Sequence, residues 1–518
     1  MMINNNKSLW AVLHLVAITC ILISLLTGLR IAILDHDYLL AISDWLPQGE
    51  MHSWHFLSGL VFSLTAVVYA YLRYSKRLIS RPSNSSATTL EKYHKLINRL
   101  LYIICVLSII SGSLLYSENI ALASIDLLLI HYLLALAFIG YIFAHGVVYL
   151  LTFGCSTLQH ILSPLMQLRK KQVIILSVMT LTIIAVSYTL KATSAHSLVF
   201  KRIAEDVAIT IDGKADEAIW QQAKSLTVYS HGSRGASTTP ITVKALHNGQ
   251  DAFFLIQWPD TTESLQHLPL EKTAQGWQVK ENGFQHFDEQ QYYEDKLAMM
   301  IANNCDFAAA GSAHLGPKPL EDKPQNWSGK GYHYVEKGLV DLWHWKAVRS
   351  NNMRLMDDNY IGPPDILRAG LRRYTAGYHP DASESGVYRM NWQWYSPEGI
   401  TPKRLPIATA NSASEQETVM RWYDSRPYQA ENDQYPVGSI LPSVLYTSNQ
   451  IEGDRANVRA FGVWQDGQWS LEVFRPLNTG SSHDLAINDG VCLWLAAFDH
   501  VQIAHSRHNR PIRARLEK

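Results

Sequence analysis

The run His131-Tyr-Leu-Leu-Ala-Leu-Ala-Phe-Ile-Gly-Tyr-Ile-Phe-Ala-His145 decides how the first part of this chain is read. No charged residue separates the two histidines, and the uncharged stretch extends to 127–152, long enough to cross a hydrocarbon core of roughly 30 Å. Fourteen residues make nearly four helical turns, so both imidazoles leave one face, roughly 21 Å apart along the axis. One therefore lies near each surface of a bilayer. Ionisable groups at such depths are costly and usually functional.

Working outward, the same reading gives four more spans, at 9–34, 53–75, 97–117 and 172–191. The first is too long for a signal peptide and lacks a small-residue cleavage site, so it reads as a retained helix. Arg73, Lys76, Arg77, Arg81, Lys92, Lys95 and Arg99 fill one short connection, and Arg169, Lys170 and Lys171 end another. The opposite connections carry Asp35, Asp37, Asp44 and Glu50, then Glu118 and Asp126. Basic loops stay in the cytoplasm, which puts the N-terminus inside and, after five spans, the rest of the chain in the periplasm.

With that orientation, His14 near the start of span one lies at the inner level, with His145. His55 near the start of span two lies at the outer level, with His131. Two imidazole pairs at two depths suit two haems, each held by axial histidines from different helices. His52 is three residues from His55 but nearer the surface. Gly59, one turn after His55, would let a flat macrocycle approach the backbone, so His55 is preferred.

The 518 residues balance charge to zero, a whole-chain average that hides an apolar first part and a polar, Trp- and Tyr-rich second part. No nucleic-acid partner is expected. Five cysteines are too few for a disulfide framework, although Cys305 and Cys492 can pair if their part is periplasmic. No Cys-x-x-Cys-His occurs, so haem would be held without covalent attachment. Three domains result: a helical membrane domain at 1–160, a fifth span and linker at 161–199, and a mainly β domain at 200–518. Ile241–Ala245 with Ala252–Trp258, and Phe461–Trp464 with Trp469–Val473, read as hairpins around Asn248-Gly249 and Asp466-Gly467. A β-sandwich with long irregular insertions is the expected fold.

The His14, Thr27-Gly28-Leu-Arg30, His55-x-x-x-Gly59 and His131/His145 features resemble the cytochrome b561-type membrane subunits of formate dehydrogenases and nickel–iron hydrogenases, over about residues 8–155. That resemblance implies two haems b on His14, His55, His131 and His145, with a quinone reacting near the inner pair. The second part is similar to the haem-binding domain related to the γ subunit of ethylbenzene dehydrogenase. The phrases that carry it are Ile211–Trp220, Gln257–Asp260, Tyr293–Met300, Val340–Ala347 and Leu471–Gly480. It implies a third haem b held by a methionine and a basic residue. Met300 matches the methionine. The basic ligand is sought after Asp499, where His508 is the first choice and His505 the next. His344 and Lys346 are expected to pack and hydrogen-bond around the pocket.

Together these features imply electron transfer between quinone and a periplasmic oxidoreductase or soluble cytochrome, from the inner membrane. The alternative is a membrane-tethered sensor or binding module, which has no need of four histidines at two levels. A substrate-oxidising enzyme is disfavoured because no molybdopterin, flavin or iron–sulfur signature is present, and no catalytic residue is assigned.

Overall fold

The computed structural model describes residues 5–33, 36–47, 51–75, 89–117, 126–157 and scattered residues between 159 and 189. It then describes 195–518 except 233–237, 281–290, 306–313, 316–332, 336–337, 364–376, 382–387, 393–398, 408–417, 448–452, 502–505 and 509. The chain divides into two compact units, one helical and one mainly β.

The helical unit contains α1 (Asn5–Ala32), α2 (Met51–Tyr74), α3 (Thr89–Ser117) and α4 (Leu127–Phe153). Among the described residues, four helices are long and apolar enough to span a membrane. Of the fifth expected span, 172–191, the described residues 173–174, 177, 180–185 and 188–189 are helical, and the others lie outside the described residues. Helix α3 starts at Thr89, two turns before its apolar run, because Glu91, Lys92 and Lys95 are sound helix formers that hydropathy alone discounts. Asp126 caps α4 by accepting from the Leu129 N–H at 2.9 Å.

Among the described residues, the main sheet of the β unit has thirteen strands. These are β1 (His196–Arg202), β2 (Leu226–Gly232), β3 (Thr239–His247), β4 (Asp251–Pro259), β5 (Lys296–Ala302), β6 (Val340–Lys346) and β7 (Asp357–Ile361). They continue with β8 (Tyr378–Pro380), β9 (Arg459–Gln465), β10 (Gln468–Pro476), β11 (Cys492–Phe498), β12 (Ser506–Arg507) and β13 (Ile512–Leu516). They join as one curled sheet in the order β8-β7-β6-β5-β11-β13-β1-β3-β4-β10-β9, with β2 beside β3 and β12 beside β2. The expected sandwich is thus a single sheet whose two ends approach each other. Met356 N–H donates to Val458 O and Ala460 N–H to Arg354 O, both at 3.0 Å, linking the segment before β7 to β9. Strand β1 starts at His196, inside the stretch read as linker.

Both expected hairpins form, as β3–β4 and β9–β10. Asp466 (φ 52°) and Gly467 (φ 80°) occupy the left-handed region that a two-residue turn of this hand requires. The curled sheet encloses a core of Trp258, Trp343, Trp345, Trp469, Phe200 and Phe254, all buried. Buried acids lock distant phrases together. Glu472 accepts from the Asp212 and Gly213 N–H groups (2.9 and 2.8 Å) and from the Trp220 indole (3.0 Å). Glu294 accepts from the Val348 N–H at 2.6 Å and pairs with the Arg349 guanidinium.

Candidate functional site

Helices α1, α2 and α4 bring the four membrane histidines together in twos. His14 faces His145 with ring centroids 6.3 Å apart, and His55 faces His131 at 6.0 Å. Two imidazoles bonded through Nε2 to one metal ion, with bonds of about 2 Å, have centroids roughly 6.3 Å apart. The centroid separations of both pairs match that value, which also lies within the roughly 4.5–7 Å range of ordinary ring packing.

The other ring nitrogens are held by the protein. His55 Nδ1 lies 2.9 Å from Ser24 O and 3.1 Å from Thr27 Oγ1, both on α1. A carbonyl only accepts, so Nδ1 carries the proton and neutral His55 has its lone pair at Nε2. His131 Nδ1 lies 2.9 Å from Ser111 Oγ, whose own proton goes to Ser108 O at 3.2 Å, which again makes Nδ1 the donor. His145 Nδ1 contacts Tyr141 OH at 3.1 Å, one turn back, and Tyr141 reaches Asn98 on α3. His14 stacks on Trp10, one turn earlier, at 4.8 Å. Metal-binding histidines are oriented by partners of this kind.

Two glycines make room for the rings. A Cβ at Gly28 would meet His55 Cε1 at 3.0 Å, and one at Gly112 would meet His131 Cε1 at 3.3 Å. A Cβ at Gly59 would meet nothing within 4 Å, so the backbone one turn after His55 borders open space. These features fit a flat group between each pair. Ser24, Ser111, Tyr141 and Gly112 escaped sequence reasoning, because which helix faces touch is not written in any one helix.

In the β unit, Met300 and Met299 lie on opposite faces of β5. Met299 belongs to the main core, whereas Met300 packs with Val335, Ile361, Trp494 and Cys492 on the other side. On Met300's face, β5, β6 and β11 also carry Lys296, His344, Lys346 and Phe498. Lys346 forms an ion pair with Asp357 and donates to Tyr388 OH at 2.9 Å. His344 approaches Tyr378 OH at 3.4 Å, and burial together with Lys346 and Lys296 holds its pKa well below the usual value. Cys305 and Cys492 form a disulfide beside this face.

His508 requires a correction. It is fully buried, its Nε2 accepts from the Leu495 N–H at 2.9 Å and its Nδ1 donates to Arg510 O at 2.7 Å. With both ring nitrogens committed to backbone, it fastens the β11–β13 region and has no lone pair left for iron. His505 lies outside the described residues.

The fold and site define an integral membrane protein whose helices carry paired imidazoles and whose C-terminal unit is mainly β. Residues 217–510, more than half of the chain, match the family described as ethylbenzene dehydrogenase, and the chain belongs to that family. No curated protein matches the chain in sequence. Solved structures similar to the chain include a Bacteroides uniformis protein described as carbohydrate-binding (9% identity, TM-score 0.24, covering 62% of this chain and 99% of that one). Another is a family 9 carbohydrate-binding module of Caldicellulosiruptor kristjanssonii in complex with cellotriose (8%, 0.23, 62% and 95%). At such scores the likeness carries no argument about ligands.

Proposed function

We propose that this chain is a membrane-bound b-type cytochrome that passes electrons between the quinone pool and a periplasmic redox partner. The observation that carries the reading is the meeting of four membrane histidines in two pairs, with centroids 6.3 and 6.0 Å apart. His14 and His145 would hold one haem b, and His55 and His131 the other. When bound, each haem supplies a one-electron couple.

The chain's own residues prepare these sites. Ser24 and Ser111 fix the protons of His55 and His131 on Nδ1, so each ring presents Nε2 to the space between the pair. Tyr141 orients His145 in the same way. A resident metal also lowers the cost of holding imidazoles at membrane depth. The resemblance to cytochrome b561-type subunits supports this reading and puts quinone exchange at the His14/His145 level. The basic loops support a cytoplasmic N-terminus, and the Cys305–Cys492 disulfide supports an oxidising compartment for the β unit.

A third haem b on the Met300 face accords with the family. Residues on one sheet face reach the same side of a flat macrocycle, so neither His344 nor Lys296 can lie opposite Met300 across it. The second ligand must come from a segment covering that face.

A pyridine haemochrome assay on the purified full chain tests the function. Three b-haems per chain are expected, two would remove the periplasmic site, and none would leave the tethered binding module standing.

A further inference from the structure

The most unusual electrostatic feature lies away from the histidines, at the β6–β7–β8 edge of the curled sheet. Asp341 on β6, Asp358 on β7 and Asp484 in the loop after β10 each bring a carboxylate oxygen to within 4.8 Å of the others. Asp381, just after β8, lies against Asp484. Among the described residues, the cation paired with them is the fully buried Arg475, whose guanidinium nitrogens lie 3.0 Å from Asp341 Oδ2 and 3.2 Å from Asp484 Oδ2. Four carboxylates against one guanidinium leave a formal excess of three negative charges in a buried place.

The oxygens divide into two sets. Asp341 Oδ2 also accepts from the Leu485 N–H at 3.0 Å, and Asp484 Oδ2 from Asn457 (3.0 Å) and Thr479 (2.5 Å). Among the described residues, their second oxygens, and both oxygens of Asp358 and of Asp381, are buried with no hydrogen-bond donor: six in all. The indole N–H of Trp343, beside Asp341, makes no hydrogen bond of ordinary geometry either. Asp358 is 0% exposed, and neither of its oxygens is satisfied. The other acidic group, Asp260, Asp295 and Asp499, differs: Asp295 there accepts from two backbone N–H groups and an indole.

We propose that Asp341, Asp358, Asp381 and Asp484 form a calcium site that ties the β6–β7–β8 edge to the loop after β10. Three of these groups bring an oxygen within 4.8 Å of each other, and Asp381 lies against Asp484. Together the four carry six buried oxygens without a donor among the described residues; calcium, a hard cation, takes about six to eight oxygen ligands. Magnesium suits the site less well, because it dehydrates reluctantly and usually keeps several waters. Without a cation, burial and the mutual repulsion of the neighbouring carboxylates oppose their being ionised together. A bound dication reverses that balance.

The test uses the full chain in detergent, purified with CaCl2 and desalted. Elemental analysis should find one calcium per chain, removed by EGTA, and EGTA should lower the melting temperature by several degrees in a way that CaCl2 restores. MgCl2 at equal concentration should restore little. Asp358→Asn should abolish both retention and the CaCl2 response, and Asp381→Asn serves if the first variant does not fold. A native chain that retains no calcium and melts at the same temperature with CaCl2 or EGTA overturns the site. So does an Asp358→Asn chain that melts higher than native in CaCl2, because the carboxylates would then only repel.

Discussion

Replacing Gly28 by alanine tests the histidine pairs from a position that touches no metal. The new Cβ would stand 3.0 Å from His55 Cε1 and 3.4 Å from Nδ1, so the ring must retreat by about 0.5 Å to reach ordinary contact. Retreat stretches the bonds from His55 Nδ1 to Ser24 O and Thr27 Oγ1, now 2.9 and 3.1 Å, toward roughly 3.5 Å, where they weaken. About 1 kcal/mol goes with a lost hydrogen bond. The larger effect is on the metal, because ligation tolerates about 0.2 Å and disturbing an orienting partner typically lowers metal affinity 10- to 100-fold. The Gly28→Ala chain should therefore lose most of the outer haem while keeping the His14/His145 haem. Haem per chain and the reduced-minus-oxidised spectrum read this directly. Gly112→Ala, with its Cβ at 3.3 Å from His131, asks for a smaller shift and should lose less. Full haem content in Gly28→Ala, or a greater loss in Gly112→Ala, would refute the reasoning.

His145→Ala should remove only the inner haem and stop reduction by quinol; unchanged haem content would show the inner pair to be misassigned. Cys492→Ser opens a disulfide between residues 187 apart in sequence, which on a chain-entropy estimate removes on the order of 5 kcal/mol. Thermal melting should fall sharply and lose its sensitivity to reductant, and a melting temperature within a degree of native would count against the bond. Asp295 is raised from 3.8 to about 7, first by burial and then by Asp260, so between pH 4 and 7 the folded chain holds a proton that the unfolded chain has released. Its contribution to stability accordingly falls as pH rises through that window. Asp295→Asn should flatten that part of the melting-temperature profile, and an unaltered slope would contradict the assignment.

Counting turns was enough to group the histidines by depth, since spacing along a helix fixes height whatever the packing. The structure puts His14 beside His145 and His55 beside His131, as that counting expects. In the sequence, Gly59 one turn on favours His55 over His52; the structure adds that His55 faces His131 and that a Cβ at Gly59 would meet nothing within 4 Å. His508 shows where sequence reasoning failed. A histidine near the chain's end looked available to iron, but the register of β11 and β13 closes backbone over both its nitrogens.

Hydropathy and turn dipeptides by themselves determined the four membrane-length helices, the grouping of the histidines in two levels and the two hairpins, because these signals are local and act within a few residues. Tertiary structure alone decided that Gly28 and Gly112 touch imidazoles, that thirteen strands make one curled sheet, and that Asp341, Asp358, Asp381 and Asp484 converge. Those contacts join residues tens to hundreds of positions apart. They are set by how helices rotate against each other and how a sheet twists to close on its core, which no single segment encodes.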